Sequence, residues 1–138
     1  MKPLTPYLFF DGNCREAMDF YKDCFGGKLE VSTFSEAPPG AFPGDAEKIK
    51  DKIMHSSLCE GDFVLMASDS GMGAPKAGDN VSLSIQCESP SQADDLFKAL
   101  GEGGKVLMPM ADTFWDAYFG VLIDRFGIHW MLHYQKAE

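Results

Sequence analysis

The chain's three histidines, its two tryptophans and one short polar ladder are where residue type and spacing could do chemistry. His55 lies inside the strand-like run Ile53-Met54-His55-Ser56-Ser57. An imidazole titrates near neutral pH, so a histidine lining a depression can serve as a general base or lend a nitrogen lone pair to a ligand. We take His55 as the candidate catalytic residue; the plainer reading is a half-buried strand histidine satisfied by a neighbour. His129 and His133 alternate with Ile128, Trp130 and Leu132 and therefore share a face, with Met131 between them. Two histidines four residues apart on a strand are about 13 Å apart, too far to hold one metal ion together. Their plainer reading is a solvated edge.

Ser82, Ser84 and Gln86 form the polar face of a strand whose other face is Val81, Leu83 and Ile85. They are candidate ligand-lining residues, although any strand exposed on one side looks the same. Trp115 and Tyr118, near the start of a later strand, could stack on a flat ligand, or simply pack. Met54, Met66, Met108, Met110 and Met131 would give a pocket an adaptable thioether surface or fill a core. The sequence holds no Gly-x-Ser-x-Gly elbow, phosphate loop or paired-carboxylate motif, and no cofactor is expected from it.

These residues need elements to position them, and two amphipathic helices mark their own ends. The first starts at Asn13, with Glu16 three residues on as a capping box, buries Ala17, Phe20, Tyr21, Cys24 and Phe25, and stops at Gly26-Gly27. The second starts at Ser89 with Pro90 and Gln92 behind it, buries Ala93, Leu96, Phe97 and Leu100, and stops at Gly101. Positions 13 and 89, 17 and 93, 21 and 97 are all separated by 76 residues, which is a repeat. A strand-like run precedes each helix, and Gly27-Lys28 and Gly104-Lys105 open the segment after each. Further strands are predicted over 28–35, 52–60 and 63–69, then over 105–111, 115–124 and 128–134. Asp124-Arg125-Phe126-Gly127 is a type I turn signature. Each half then reads βαβββ, the first over about 4–69 and the second over about 79–134, with a Gly/Pro/Ala-rich linker at 70–78. The excursion at 37–50, with Pro38, Pro39, Gly40, Pro43 and Gly44, is a lid or a merely mobile loop.

Composition narrows the partners. A length of 138 residues is one domain's worth of chain and should bury roughly two-thirds of its unfolded surface. Twelve Lys and Arg against 21 Asp and Glu leave a net charge of -9 without a basic cluster, which argues against nucleic acid and anionic membrane. No apolar stretch approaches the roughly 20 residues of a membrane span. The opening residues Met1-Lys2-Pro3-Leu4-Thr5-Pro6 contain no apolar targeting core, and Cys14, Cys24, Cys59 and Cys87 lie far apart with no C-x-x-C pair. A cytoplasmic protein with reduced thiols is the expectation.

The tandem βαβββ pattern, the helix segment Glu16-Ala17-Met18-Asp19-Phe20-Tyr21 and the Phe25-Gly26-Gly27 after it resemble the vicinal oxygen chelate superfamily of glyoxalases, bleomycin-resistance proteins and extradiol dioxygenases. Met54-His55, Phe114-Trp115, Phe119-Gly120, Asp124, Phe126-Gly127 and Trp130 are similar to its PhnB-like branch, often labelled a 3-demethylubiquinone methyltransferase domain. The resemblance spans essentially the whole chain. It implies an α+β fold in which a single glyoxalase-like domain forms a curved sheet around a cleft, pairing as a homodimer and binding a small molecule. In metal-dependent relatives the ion is held from the first and last strands of each half, positions that fall here near Pro6, Met66, Asn80 and Met131. None offers the carboxylate or imidazole that such ions take, so the expectation is a cleft without a catalytic metal, with Met131 as a lining residue. The alternatives are a metal-dependent lyase or isomerase using His55, and a protein that sequesters a cationic drug-like ligand. The methyltransferase label asks for an S-adenosylmethionine site, usually a Gly-rich strand-to-helix turn on a parallel sheet, and Gly71-Met72-Gly73 leads into no helix signal.

Overall fold

In a computed structural model, which describes residues 1–38, 40, 41, 46–71 and 73–136, both predicted helices form and the spacing between them holds. They span Cys14–Phe25 (α1) and Pro90–Gly101 (α3), the same twelve residues of each repeat. The chain divides into two units, Met1–Lys76 and Ala77–Glu138. Pro39, Pro43 and Gly44 of the 37–50 excursion, and Met72 of the linker, lie outside the described residues.

The first unit runs β1 (Tyr7–Phe10), α1, β2 (Lys28–Thr33), a 3-10 turn (Phe34–Glu36), a short α2 (Ala46–Ile49), β3 (Ile53–Glu60) and β4 (Phe63–Asp69). Its sheet is ordered β1-β4-β3-β2, with β1 parallel to β4 and the other pairs antiparallel. The second unit runs β5 (Leu83–Gln86), α3, β6 (Lys105–Asp112), β7 (Ala117–Ile123) and β8 (His129–Gln135), and its sheet repeats the wiring as β5-β8-β7-β6. The α+β class and the tandem βαβββ organisation are as expected.

In each unit the helix covers one face of the sheet. Ala17, Met18, Phe20 and Tyr21 of α1 are buried with Leu58, Leu65 and Ala67 of the sheet; Ala93 and Leu100 of α3 are buried with Leu122, Trp130 and Leu132. Two glycines let the returning strands lie close: a Cβ at Gly27 would strike the Cys59 carbonyl oxygen, and one at Gly104 the Ile123 carbonyl oxygen. Gly120 has a different task, since a Cβ there would sit 2.8 Å from Phe97 on α3 and 2.6 Å from Met110 Sδ.

Three local expectations change. Asn13 makes no side-chain cap, because its backbone (φ -111, ψ 20) lacks the extended geometry that aims a cap side chain at the first turn. The buried carboxylate of Asp69 does that work, accepting from Cys14 N at 3.0 Å and from Ile53 N at 2.8 Å. The strand expected from 115 begins at Ala117, because Thr113 Oγ1 accepts from Ala117 N at 3.1 Å and folds the preceding residues into a turn. Finally, β8 lies between β5 and β7, so His129 and His133 stand on an interior strand and not on an edge. By contrast Ser89 caps α3 as expected, its Oγ accepting from Gln92 N at 3.0 Å. The Asp124 turn also forms, with Gly127 N donating to Asp124 O and Asp124 Oδ1 accepting from Phe126 N and Ile128 N.

Candidate ligand-binding site

A sheet covered by a helix on one face has a second face, and side chains alternate between the two. In the second unit the register assigns each residue. Leu83, Trp130 and Leu122 stand in one row toward α3, as do Ile85, Leu132 and Gly120. The helix-free face then carries the row Ser84, Met131, Val121, Met108 and beside it Gln86, His133, Phe119, Ala111.

Three polar groups in these rows form a chain. Gln86 Nε2 donates to Ser84 Oγ at 3.1 Å, and Gln86 Oε1 lies 2.7 Å from His133 Nδ1. An amide oxygen can only accept, so His133 Nδ1 carries a proton, and in the neutral ring Nε2 presents its lone pair. The half-buried His133 sits among Met131, Val121 and Phe119, so a polar anchor is set in an apolar surface. Its ring meets Phe119 edge-on at 6.4 Å between centroids, Phe119 meets Trp115 at 5.9 Å, and Trp115 meets Phe114 at 4.8 Å.

The turn that displays these aromatics is heavily pinned. Thr113 N donates to Ala117 O at 2.9 Å, and Asp116 takes a left-handed conformation (φ 58). Asp116 O accepts from Gln135 Nε2 and from Lys136 N, both at 3.0 Å. Holding a non-glycine residue at positive φ carries a cost, which several local bonds offset. The result is a fixed turn with Phe114 96% and Trp115 45% exposed.

Of the residues picked from the sequence, Ser84, Gln86 and Met131 are brought together on this face, and Trp115 reaches it through Phe119. Ser82 is exposed one residue before β5. Tyr118 lies on the opposite face, toward α3, its hydroxyl donating to Asp94 Oδ1 at 2.6 Å. That carboxylate holds the Tyr118 phenol above its ordinary 10.0. Sequence reasoning passed over the His133–Gln86 pair because 47 residues separate the partners and the parallel β5–β8 register alone makes them neighbours.

His55, in the first unit, is exposed on the face away from α1. Its Nδ1 is 3.3 Å from the Tyr7 hydroxyl, the two rings stack at 5.8 Å, and Tyr7 meets Phe9 at 5.2 Å. Tyr7 and Phe9, 40% and 58% exposed, were not singled out from sequence; alternation along β1 with the buried Phe10 was the available signal.

The chelate positions do not suit a metal. Pro6 and Asn80 lie just before β1 and β5, and Met66 and Met131 stand on the helix-free faces of β4 and β8. Among the described residues no three His, Cys, Asp or Glu side chains converge as a metal set. No helix is long and apolar enough to cross a membrane among the described residues.

Comparison with known proteins agrees with this architecture. A family model described as 3-demethylubiquinone-9 3-methyltransferase matches residues 2–133. The crystal structure of protein PA1353 from Pseudomonas aeruginosa is 43% identical, covers 99% of this chain and 100% of its own, and superposes with a TM-score of 0.85. A PhnB protein from Bacillus cereus is 26% identical over 96% of this chain and 99% of its own, with a TM-score of 0.75. A glyoxalase/bleomycin resistance protein/dioxygenase family enzyme from Burkholderia phytofirmans, 14% identical over 96% of this chain and 97% of its own, shares the fold at a TM-score of 0.65.

Proposed function

The chain belongs to the 3-demethylubiquinone-9 3-methyltransferase family, the PhnB-like branch of the glyoxalase/bleomycin-resistance fold, and from that premise we propose that it binds a small organic molecule without a catalytic metal. The observation that carries this reading is the helix-free face of the second sheet, where Ser84, Gln86 and His133 form a polar row among Met131, Val121 and Phe119. A few placed polar groups in an apolar surface are what orient a small ligand. His55, bonded to the Tyr7 hydroxyl, supplies an exposed imidazole for proton transfer. Methyl transfer draws less support, since each sheet has one parallel pair in place of the extended parallel sheet on which nucleotide-type cofactors usually sit.

The protein acts in the cytoplasm as a homodimer. Four free cysteines suit a reducing compartment. Edge strand β6 exposes Val106, Leu107 and Met108, apolar surface that a second copy would cover. Light scattering that returns a monomer mass would remove the dimer.

A thermal-shift screen against metals, thiols, aromatic acids and cationic compounds tests the central claim, because a ligand of the native state raises the melting temperature by mass action. The expected hits are organic molecules. Elemental analysis of protein purified without chelator should find no stoichiometric Ni, Zn, Fe or Mn; about one ion per chain would overturn the metal-free reading. His55→Ala should weaken the ligand found or slow any turnover on it, and an unchanged variant would take His55 out of the site.

A further inference from the structure

We infer that His133 is the recognition anchor of the second unit, accepting through Nε2 a hydrogen bond from an O–H or N–H on a flat aromatic ligand, with Gln86 as the positioning residue that fixes its tautomer. This rests on the small-molecule reading above and names the ligand class.

Each atom of the polar row has a limited choice of partners. Gln86 Nε2 is committed to Ser84 Oγ at 3.1 Å, which orients the amide so that Oε1 faces His133 Nδ1 at 2.7 Å. That contact satisfies Nδ1–H and leaves Nε2 as an acceptor, bonded to no described residue. A neutral donor such as a phenolic hydroxyl fits it. A ligand lacking a donor leaves a half-buried lone pair stripped of water, which is costly.

The neighbours set the shape. Phe119 pairs with His133 directly across the strands, Val121 and Met131 occupy the adjoining row, and Trp115 continues the run of rings with nearly half its surface open. Such a surface favours a planar apolar body, and ring contacts add to plain burial. The pinned turn at Thr113, Asp116 and Ala117 keeps Trp115 in place before a ligand arrives, so less ordering is needed on binding.

The probes are 2-naphthol and 2-methoxynaphthalene, which share a ring system and differ in the donor, titrated by calorimetry into the full-length protein. Naphthol should bind roughly tenfold more tightly, the worth of one well-placed hydrogen bond. His133→Phe, which keeps a ring, should abolish the difference between the two probes, weakening naphthol and tightening the ether as the dehydrated lone pair is removed. Trp115→Ala should weaken both probes alike, by roughly three- to tenfold. Gln86→Glu, which still accepts from Nδ1–H, should retain the preference for naphthol at a pH where the imidazole is neutral. Gln86→Leu should erode it while nitrogen-15 NMR shows the His133 proton redistributing to Nε2, a change that a merely structural residue would not cause. Equal affinity of the two probes, or a wild-type His133 protonated at Nε2, overturns the inference. If neither probe binds but another compound of the thermal-shift screen does, the anchor fails and the small-molecule reading stands. If nothing in the screen binds, both fall.

Discussion

Removing the Asp69 carboxylate should destabilise the first unit more than any other single polar change there. The side chain is 2% exposed and ties two elements that are distant in sequence: Oδ1 takes the first backbone N–H of α1 at Cys14, and Oδ2 takes the N–H of Ile53 where β3 begins. Hydrogen bonds to a charged acceptor contribute about 1.5–3 kcal/mol each, so Asp69→Ala, which strands both donors, should cost about 3–6 kcal/mol. Asp69→Asn keeps one acceptor but turns an NH2 toward the other donor, and about 2–4 kcal/mol is expected. Since domains have about 5–15 kcal/mol in total, the Asn variant is the safer measurement. Urea unfolding should be followed by far-UV circular dichroism, because both tryptophans, Trp115 and Trp130, belong to the second unit and their fluorescence would not report on the first. Asn13→Ala is the control: with no side-chain cap to lose, it should stay within about 0.5 kcal/mol of wild type, whereas Ser89→Ala should cost about 1 kcal/mol. An Asp69→Ala variant within about 1 kcal/mol of wild type would refute the assignment of the cap to Asp69.

Cys14 is fully buried, and that burial pushes its thiol from the ordinary 9.0 up to about 12, against a smaller lowering by its contact with Ser56 Oγ. Native protein treated with iodoacetamide should therefore be alkylated at the exposed Cys59 and spared at Cys14. Because the folded value lies above the unfolded one, the associated stability is complete below about pH 9 and is lost as pH rises toward about 12, at most about 4 kcal/mol. The urea midpoint should fall over that window, and less so in Cys14→Ala; equal slopes would be evidence against it. Gly120→Ala places a methyl 2.8 Å from Phe97 and 2.6 Å from Met110 Sδ, and should lower stability by about 1–3 kcal/mol, seen as a fall of several degrees in melting temperature. Nitrogen-15 spectra should show His133 as one tautomer, protonated at Nδ1, and His55 as a mixture, because the Tyr7 hydroxyl can either donate or accept; a single His55 tautomer would contradict this.

How much of the structure was legible in the sequence depended on the range of the interaction. The helices announce themselves through local signals, and the separation of 76 residues survives in the structure to the residue. It falls to 65 between β4 and β8, since Met66 corresponds to Met131 on the helix-free face, because the first half carries its excursion after β2. Ends set by tertiary partners were hidden. Asn13 looks like a cap in isolation, yet the acceptor for the helix start comes from Asp69, 55 residues ahead of Cys14. The same holds for the site: alternation put Ser84 and Gln86 on one face, but their pairing with His133 needs the β5–β8 register. Tyr118 is a related case. An aromatic at a strand start is compatible with either face, and the register turns Tyr118 toward α3 while sending its neighbour Phe119 the other way.

The two halves therefore share a scaffold without sharing a chemistry. Each presents an imidazole with an aromatic neighbour on its helix-free face, but the second groups on those imidazoles differ in kind. A phenolic hydroxyl at 3.3 Å can give or take a proton bond, so His55 can change tautomer without losing its partner. The Gln86 oxygen at 2.7 Å can only accept, so His133 must keep its proton at Nδ1. The proposed roles fit this difference: an imidazole with either tautomer open can exchange protons, and one with a fixed tautomer can recognise a donor. One residue beside each histidine, Tyr7 in one half and Gln86 in the other, sets the two imidazoles apart.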